Sequence, residues 1–349
     1  MTRTIAIAGR TIGAGQPPYV IAELSANHNG SLDRALETME AARDAGADAI
    51  KLQTYTADTM TIDHDGPGFR IEGGLWDGRT LYDLYQEAYT PWEWHEALFA
   101  KGRDLGLAVF STPFDPSAVD LLEDLSAPAY KIASFELVDL PLIRRVAATA
   151  KPMIMSTGMA GLGEIAAAVR AAREGGAGEI ALLHCTSGYP TPPEEADLRT
   201  LPHLADAFGL VTGLSDHTSG IGVAVASVAL GSAIIEKHFT LSRADGGPDS
   251  AFSMEPDEFK ALCENAALAW RALGAVRYDR AKSEHATAQF RRSLYVVEDM
   301  AAGEVLTEHN VRAIRPGYGL APEYYETLLG KRVNRAVARG TPMTWDLIG

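Results

Sequence analysis

Residues 153–187 have the sequence MIMSTGMAGLGEIAAAVRAAREGGAGEIALLHCTS, in which a helix-length segment separates two short apolar runs. The apolar runs have the length and composition of buried β-strands. The segment between them is closed by Gly175 and Gly176, and glycine is common where a helix ends. A strand, a helix and a second strand in this order predict an α/β fold built from parallel strands.

The same order of strand and helix recurs on both sides of this stretch. Eight strand candidates are separated by helix-length segments, at residues 19–25, 49–55, 108–114, 130–134, 153–158, 180–187, 210–217 and 233–240. Eight βα units within about 250 residues have the number and length of a (β/α)8 TIM barrel. A doubly wound sheet usually has fewer strands and needs a glycine-rich first turn, whereas residues 25–30 are SANHNG. We therefore predict a TIM barrel.

A second, smaller domain is predicted after the barrel. The barrel occupies residues 1–277, and residues 278–289 are polar and aperiodic, which is typical of a linker. Residues 290–349 hold two short β-rich stretches on either side of a turn region with glycine and proline. Because about 60 residues form only a marginal core, we expect this domain to pack on another surface.

The composition is that of a globular enzyme. The 349 residues are 46% apolar and 22% charged, and mean hydropathy is −0.05. No apolar run reaches the roughly 18 residues that span a bilayer. The net charge of −15 disfavours binding to nucleic acid, so an anionic substrate needs a local basic site. With two cysteines, Cys185 and Cys263, and no secretion signal, we expect a cytoplasmic protein.

Charged side chains lie on strands where a barrel lumen is expected. Because residues two apart on a strand share a face, Lys51 and Gln53 point one way while Ile50 and Leu52 point the other. Active sites of TIM barrels lie at the carboxyl ends of the strands. The same parity pairs further charged and polar side chains near that end: Glu23 with Ser25, Ser215 with His217, and Glu236 with His238. Thr112, Lys131 and Ser156 also lie near the ends of their strands.

These residue types indicate an anion site and a metal site. Two lysines among hydroxyl groups suit a phosphate or carboxylate, although a strand lysine can also simply pair with a carboxylate in the lumen. His217 and His238 end neighbouring strands, where two neutral imidazoles can bind a labile divalent ion. A lone strand histidine is more often a core residue, and His28 is a third possible participant. The other singled-out histidines and cysteines are interpreted as packing or surface residues: His64, His95, His184, His285, Cys185 and Cys263.

Residues 56–91 are too long for a βα loop, which usually has about 2–6 residues. This insertion is rich in aromatic residues and leaves the carboxyl end of the second strand. It is therefore a candidate lid or substrate wall. The alternative is a packing hairpin away from the chemistry.

Several strings resemble those of the sialic acid synthase family: IAELSANHNG (21–30), KLQT (51–54), YKIASFE (130–136), HCTSGYPTP (184–192), GLSDHT (213–218) and IIEKHFT (234–240). The tail is similar to the antifreeze-like (SAF) domain of that family. The resemblance implies an enzyme that joins phosphoenolpyruvate to the open-chain aldehyde of an N-acetylated amino sugar and releases phosphate. It also implies positions for the phosphoenolpyruvate contacts: Lys51, Thr112, Lys131, Ser134, Ser156, Ser215 and, where many members have asparagine, Ser187.

Further roles follow from the same resemblance. His217 and His238 would bind Mn²⁺, Mg²⁺ or Co²⁺. From the flow of charge in the implied reaction, we expect Glu23 to orient or deprotonate the water that adds, with Glu236 as the second candidate. Lys51 and Lys131 would neutralise the phosphate and the carboxylate. Four positions match sugar contacts: Gln53, Tyr189, Asp249 and Arg315. In relatives that arginine enters the partner subunit's barrel, so a domain-swapped homodimer is expected.

Within the family, SANHNG and the string GGLWDGRTLYDLYQEAYTPWEWH (73–95) resemble the pseudaminate-forming branch. Its acceptor is 2,4-diacetamido-2,4,6-trideoxy-L-altrose, whose apolar surface could be matched by Trp76, Tyr82, Tyr85 and Trp92. An N-acetylneuraminate or legionaminate synthase is the nearest alternative. A metal-dependent hydrolase and a non-catalytic carbohydrate-binding protein are more distant alternatives.

Overall fold

The computed structural model describes residues 3–349, which form two compact units divided after Gly274. In the first unit, the strands β1 (Thr4–Ile7) and β2 (Arg10–Gly13) form an antiparallel hairpin. Eight parallel strands then close a barrel: β3 (Tyr19–Glu23), β4 (Ala49–Thr54), β5 (Ala108–Pro113), β6 (Tyr130–Ile132), β7 (Met153–Ser156), β8 (Ile180–Cys185), β9 (Val211–Ser215) and β10 (Ile234–His238). Each strand pairs with the next, and β10 pairs with β3. The predicted TIM barrel is confirmed.

Helices connect the strands: α1 (Leu32–Asp44), α2 (Ala57–Met60), α3 (Leu81–Ala88), α4 (His95–Leu105), α5 (Pro116–Asp124), α6 (Leu140–Ala147), α7 (Leu162–Gly175), α8 (Thr200–Phe208), α9 (Gly222–Ala229) and α10 (Pro256–Leu273). Local chemistry sets their ends. The Asp115 side chain accepts hydrogen bonds from the first turn of α5, and Pro116 opens that helix. Gly176 ends α7 with a φ of 108°, which suits glycine. No helix within residues 3–349 is long and apolar enough to cross a membrane.

Strand parity separates an inner layer from an outer one. Ile50 and Leu52 pack outward in the core between strands and helices. Ala49 packs inward with Phe110 and with the β1–β2 hairpin, which closes the amino-terminal end of the barrel. The charged residues therefore lie directly above a layer of packed apolar side chains that fills the lower part of the barrel.

The second unit has its own small core. The strands β11 (Ser293–Val296) and β12 (Val311–Ile314) form an antiparallel pair, and a short helix, α11 (Tyr325–Leu328), follows. The second of the two predicted β-rich stretches forms isolated bridges instead of strands, such as Val333 with Ile348 and Met300 with Val337. Ten buried side chains, including Leu294 and Met343, make up the core.

Candidate active site

Four charged side chains from four strands of the barrel meet in its lumen. Glu23 ends β3, and Lys51, Lys131 and Glu236 lie on β4, β6 and β10. The Lys51 Nζ atom lies 2.5 Å from Glu23 Oε2 and 3.6 Å from Glu236 Oε1. Lys131 Nζ donates to Glu236 Oε1 over 3.1 Å. We call these four residues the charged cluster; the structure brings them together inside the lumen, where strand parity places them.

The charged cluster is buried, and burial controls its protonation. Its four residues are each exposed by 5% or less. Burial raises the pKa of Glu23 to about 7, against the opposing charge of Lys51. Burial would also raise the pKa of Glu236, but the charges of Lys131 and Lys51 outweigh it and lower that pKa. Near neutral pH, Glu236 is therefore the ionised carboxylate, while Glu23 can gain or lose a proton.

Hydroxyl groups surround the lysines. Lys51 Nζ donates to Thr112 Oγ1 over 3.4 Å, and Ser215 Oγ donates to Glu236 Oε1 over 3.3 Å. Ser156 ends β7, and its buried Oγ atom has no hydrogen-bond partner among residues 3–349. A buried hydroxyl without a partner is costly unless a ligand bonds to it.

Gly158 keeps a space open between two further serines. Its N–H donates to Ser134 Oγ over 3.1 Å. A Cβ atom at position 158 would lie 2.7 Å from Ser134 Oγ and still closer to Ser187 Oγ. Only glycine therefore lets both hydroxyl groups converge beside this backbone N–H. Such a group of donors next to two lysines can bind an anion.

His217 and His238 lie side by side at the ends of β9 and β10. Their ring centroids are 5.4 Å apart, and the Tyr189 ring lies 4.4 Å from that of His217. Burial lowers the pKa of His238 well below its usual value, so this ring is neutral. Its buried Nδ1 atom has no hydrogen-bond partner in the described part of the chain. Residues 3–349 contain no group of three or more His, Cys, Asp or Glu side chains that could hold a metal ion, so the site offers two imidazoles.

Two of the predicted sugar-contacting residues, Gln53 and Asp249, are joined to the charged cluster by hydrogen bonds. Gln53 Nε2 donates to Glu23 Oε1 over 3.1 Å and to Ser25 Oγ over 3.0 Å. Ser25 Oγ in turn donates to Asp249 Oδ2. Arg315 belongs to the second unit, where it is exposed directly after β12, and its role stays a prediction.

Two family profiles match the chain. The NeuB family profile matches residues 38–278, and the SAF domain profile matches residues 291–349. The chain belongs to the NeuB family. The resemblance found in the short motifs is thus confirmed over most of the sequence.

The chain is also similar to individual members of this family. Pseudaminic acid synthase from Helicobacter pylori is 44% identical over 332 residues, which cover 95% of this chain and 98% of the relative. N,N'-diacetyllegionaminic acid synthase from Campylobacter jejuni is 38% identical over 89% of this chain and 94% of the relative. The crystal structure of an N-acetylneuraminic acid synthetase from Leptospira borgpetersenii has a TM-score of 0.74 and 30% identity, covering 83% of this chain and 97% of that one.

In this NeuB-family chain the insertion forms a hairpin that reaches the barrel mouth. The Ile71 N–H donates to Arg79 O, and the Leu81 N–H donates to Phe69 O, both over 2.9 Å. At the tip, the Trp76 indole N–H donates over 3.0 Å to the carbonyl oxygen of Pro248, in the segment after β10. The insertion therefore contacts the end of the barrel where the charged cluster lies.

The other three aromatic residues predicted to line a sugar wall have different positions. Tyr85 packs edge-on against Tyr55, with ring centroids 5.9 Å apart. Trp92 Nε1 donates to the Tyr55 carbonyl oxygen over 3.1 Å. Tyr82 instead donates a solvent-exposed hydrogen bond to Asp58. Aromatic content alone does not distinguish these environments.

Sequence reasoning did not assign site roles to two residues that the structure places near the lysines and the imidazoles. Glu136 follows β6 in a 3-10 turn, and burial raises its pKa to about 7. Cys185 is buried as expected for a packing residue, but its Sγ atom also lies 3.8 Å from His217 Nδ1. His28, in contrast, packs edge-on against Trp94. Glu136 lies outside the strand, where the period of two that revealed the other residues no longer applies.

Proposed function

We propose that this protein is a pseudaminic acid synthase, which condenses phosphoenolpyruvate, 2,4-diacetamido-2,4,6-trideoxy-L-altrose and water to pseudaminic acid and phosphate. The observation that carries this proposal is the 44% identity to the Helicobacter pylori enzyme over nearly the whole chain. The charged cluster supports the chemistry, because two buried lysines suit a substrate with both a phosphate and a carboxylate.

Phosphoenolpyruvate would bind deep in the barrel mouth. Its phosphate and carboxylate would be held by lysine and hydroxyl donors: Lys51, Thr112, Lys131, Ser134, Ser156, Ser187 and Ser215. The unpartnered Ser156 hydroxyl and the space beside Gly158 support this assignment. An anion would also balance the two lysines, since Glu23 is only partly ionised near neutral pH.

The two imidazoles fit a weakly held divalent cation. The His238 ring is neutral and its Nδ1 atom lacks a partner within residues 3–349, so a lone pair is available for a metal. His217 and His238 would hold Mn²⁺, Mg²⁺ or Co²⁺, and the ion would supply Lewis acidity toward the aldehyde oxygen of the sugar. Two protein ligands leave other coordination positions for substrate and water.

The reaction follows from the electron-rich C3 of phosphoenolpyruvate. C3 attacks the aldehyde carbon, a C–C bond forms, and the aldehyde oxygen takes up a proton. Positive charge develops at C2, and water adds there while its proton passes to a base. The resulting tetrahedral carbon expels phosphate by cleavage of the C–O bond, while its new hydroxyl group loses a proton and becomes the C2 carbonyl group. Lys51 and Lys131 hold the two anionic groups in register throughout.

Glu23 is our candidate for that base. It accepts hydrogen bonds from Gln53, and a carboxylate with a pKa of about 7 suits proton transfer near neutral pH. Glu236 has a different set of contacts, because Lys131 and Ser215 both donate to its Oε1 atom. Glu236 would therefore position the lysines as a permanent anion.

The acceptor sugar would lie toward the mouth, against Gln53, Tyr189 and Asp249. In addition we propose a domain-swapped homodimer, in which the exposed Arg315 of one subunit completes the sugar site of its partner. The support for association of the second unit with a partner's barrel is the difference in net charge between the two units. Residues 275–349 contain 11 basic and nine acidic residues, whereas residues 1–274 carry the remaining 20 basic and 37 acidic residues.

The direct test is phosphate release from phosphoenolpyruvate with the altrose sugar, N-acetylmannosamine or the legionaminate-type sugar, each with and without EDTA. Release that needs metal and occurs only with the altrose sugar supports the proposal. Release with either other sugar would keep the family chemistry and change the acceptor. No release with any sugar would favour a non-catalytic carbohydrate-binding protein.

The homodimer is tested by mixing Arg315→Ala subunits with Glu23→Gln subunits. Activity is restored only if one subunit supplies Glu23 and its partner supplies Arg315 to the same site.

A further inference from the structure

Trp76 connects the tip of the insertion to the barrel mouth. It is half-buried, although Leu75 and Asp77 on either side of it are exposed. Its indole N–H bonds to Pro248 O, 172 positions away in sequence. One inward side chain on an otherwise exposed tip indicates that the tip is held in place mainly through this residue.

The contacts of Trp76 lead directly to the site. Its ring centroid lies 5.9 Å from that of Tyr189, which lies 4.4 Å from that of His217. Its hydrogen-bond acceptor, Pro248, immediately precedes Asp249. Trp76 therefore contacts both loops that carry predicted sugar-contacting residues, and Tyr189 connects it to His217.

The tip is built so that it can move as a unit. Gly73 and Gly74 have φ values of 79° and 75°, a region that glycine adopts without strain. The hairpin bonds between residues 69 and 81 are internal to the insertion and would survive a movement of the tip. Opening would break the indole hydrogen bond to Pro248 and the ring contact with Tyr189.

We propose that Trp76 is a latch: it closes the insertion over the bound substrates and selects the acceptor sugar. The closed latch presents an apolar ring beside Tyr189, which favours a sugar with a methyl group over one with a hydroxymethyl group. Phosphoenolpyruvate lies deeper, against the lysines, so its affinity does not depend on the latch. The sugar selection rests on the proposed function, whereas the closure does not.

The kinetic test compares Trp76→Ala and Trp76→Phe with Leu75→Ala, a matched control on the exposed side of the same tip. Trp76→Ala should raise the KM for the altrose sugar at least about tenfold, the lower range for losing an apolar contact in a pocket. The KM for phosphoenolpyruvate should change less than about twofold, and Trp76→Phe should have an intermediate effect on the sugar. Equal effects on both substrates, or equal effects of the alanine variants at 75 and 76, would overturn sugar selection by Trp76.

Closure can be tested without activity, through the thiol of Cys185 beside His217. In a Cys263→Ser background, the rate of Cys185 modification by a maleimide reports access through the mouth. Trp76→Ala should speed the modification several-fold, while Leu75→Ala should leave it unchanged. Unchanged rates in both variants would overturn the latch. If the wild-type enzyme does not turn over the altrose sugar, the proposed acceptor fails, but this labelling result still decides the closure.

Discussion

The charged cluster and the insertion lie on the same end of the barrel, yet they are built in opposite ways. The cluster consists of four buried side chains fixed on strands, each within 3.6 Å of an opposite charge. The insertion is only partly buried, and its tip contacts the mouth through Trp76. A rigid, desolvated cluster suits chemistry shared by a whole family, since pre-arranged charges need no reorganisation during the reaction. A loop with few anchors suits selection among related sugars.

The strongest test of this division is Glu23→Gln. The amide keeps the shape of the side chain but cannot accept a proton, so kcat should fall by at least about 100-fold, the lower end for losing a general base. Affinity for phosphoenolpyruvate should change little, as measured by calorimetry. Glu174→Gln, on the exposed surface of α7, is the control and should retain full activity. Near-normal turnover of Glu23→Gln would remove the proposed role of this residue.

A change at Lys131 should affect a different step. Lys131→Met keeps the length of the side chain but removes its charge-assisted bonds to substrate, which contribute about 1.5–3 kcal/mol each. The Kd for phosphoenolpyruvate should therefore rise roughly 10–150-fold. The measurement is calorimetric titration of the folded variant, with its circular dichroism as the control. Unchanged binding would show that Lys131 serves only as the partner of Glu236.

Gly158→Ala tests the anion space without changing any charge. The new Cβ atom would crowd the hydroxyl groups of Ser134 and Ser187, and overpacking of this kind costs about 1–3 kcal/mol. We expect affinity for phosphoenolpyruvate to fall about tenfold, with the KM for the sugar almost unchanged. Gly163→Ala is the control, because its Cβ would meet no atom within 4 Å. Normal binding by Gly158→Ala would place the phosphate elsewhere.

The smallest effect is expected on the outer surface of the insertion. Tyr82→Phe removes only an exposed hydrogen bond to Asp58, and exposed changes of this kind usually alter stability by about 0.5 kcal/mol or less. Both KM values should stay within about twofold of wild type. If Tyr82→Phe instead changes sugar selectivity, the outer surface of the insertion also takes part in recognition.

The comparison also explains what could be predicted from the sequence. The charged cluster could be predicted because the alternation of side chains along a strand depends only on neighbouring residues. Lys51 and Glu236 could therefore be assigned to the lumen without knowing their partners. The position of Trp76 depends on Pro248, 172 positions away, and no local pattern encodes such a contact. The open space at Gly158 likewise depends on three separate loops. In the second unit, backbone pairing of the last stretch is limited to isolated bridges, which propensity does not distinguish from strands.

The central claim is that the charged cluster delivers water to the carbon of phosphoenolpyruvate that bears the phosphate ester. The most direct test is to run the reaction with the altrose sugar in H₂¹⁸O and to measure the ¹⁸O content of the released phosphate by mass spectrometry. Attack at carbon with cleavage of the C–O bond predicts phosphate without ¹⁸O, apart from the slow exchange measured in an enzyme-free control. One ¹⁸O atom in each phosphate would mean attack at phosphorus and would contradict the role assigned to Glu23 and its neighbours.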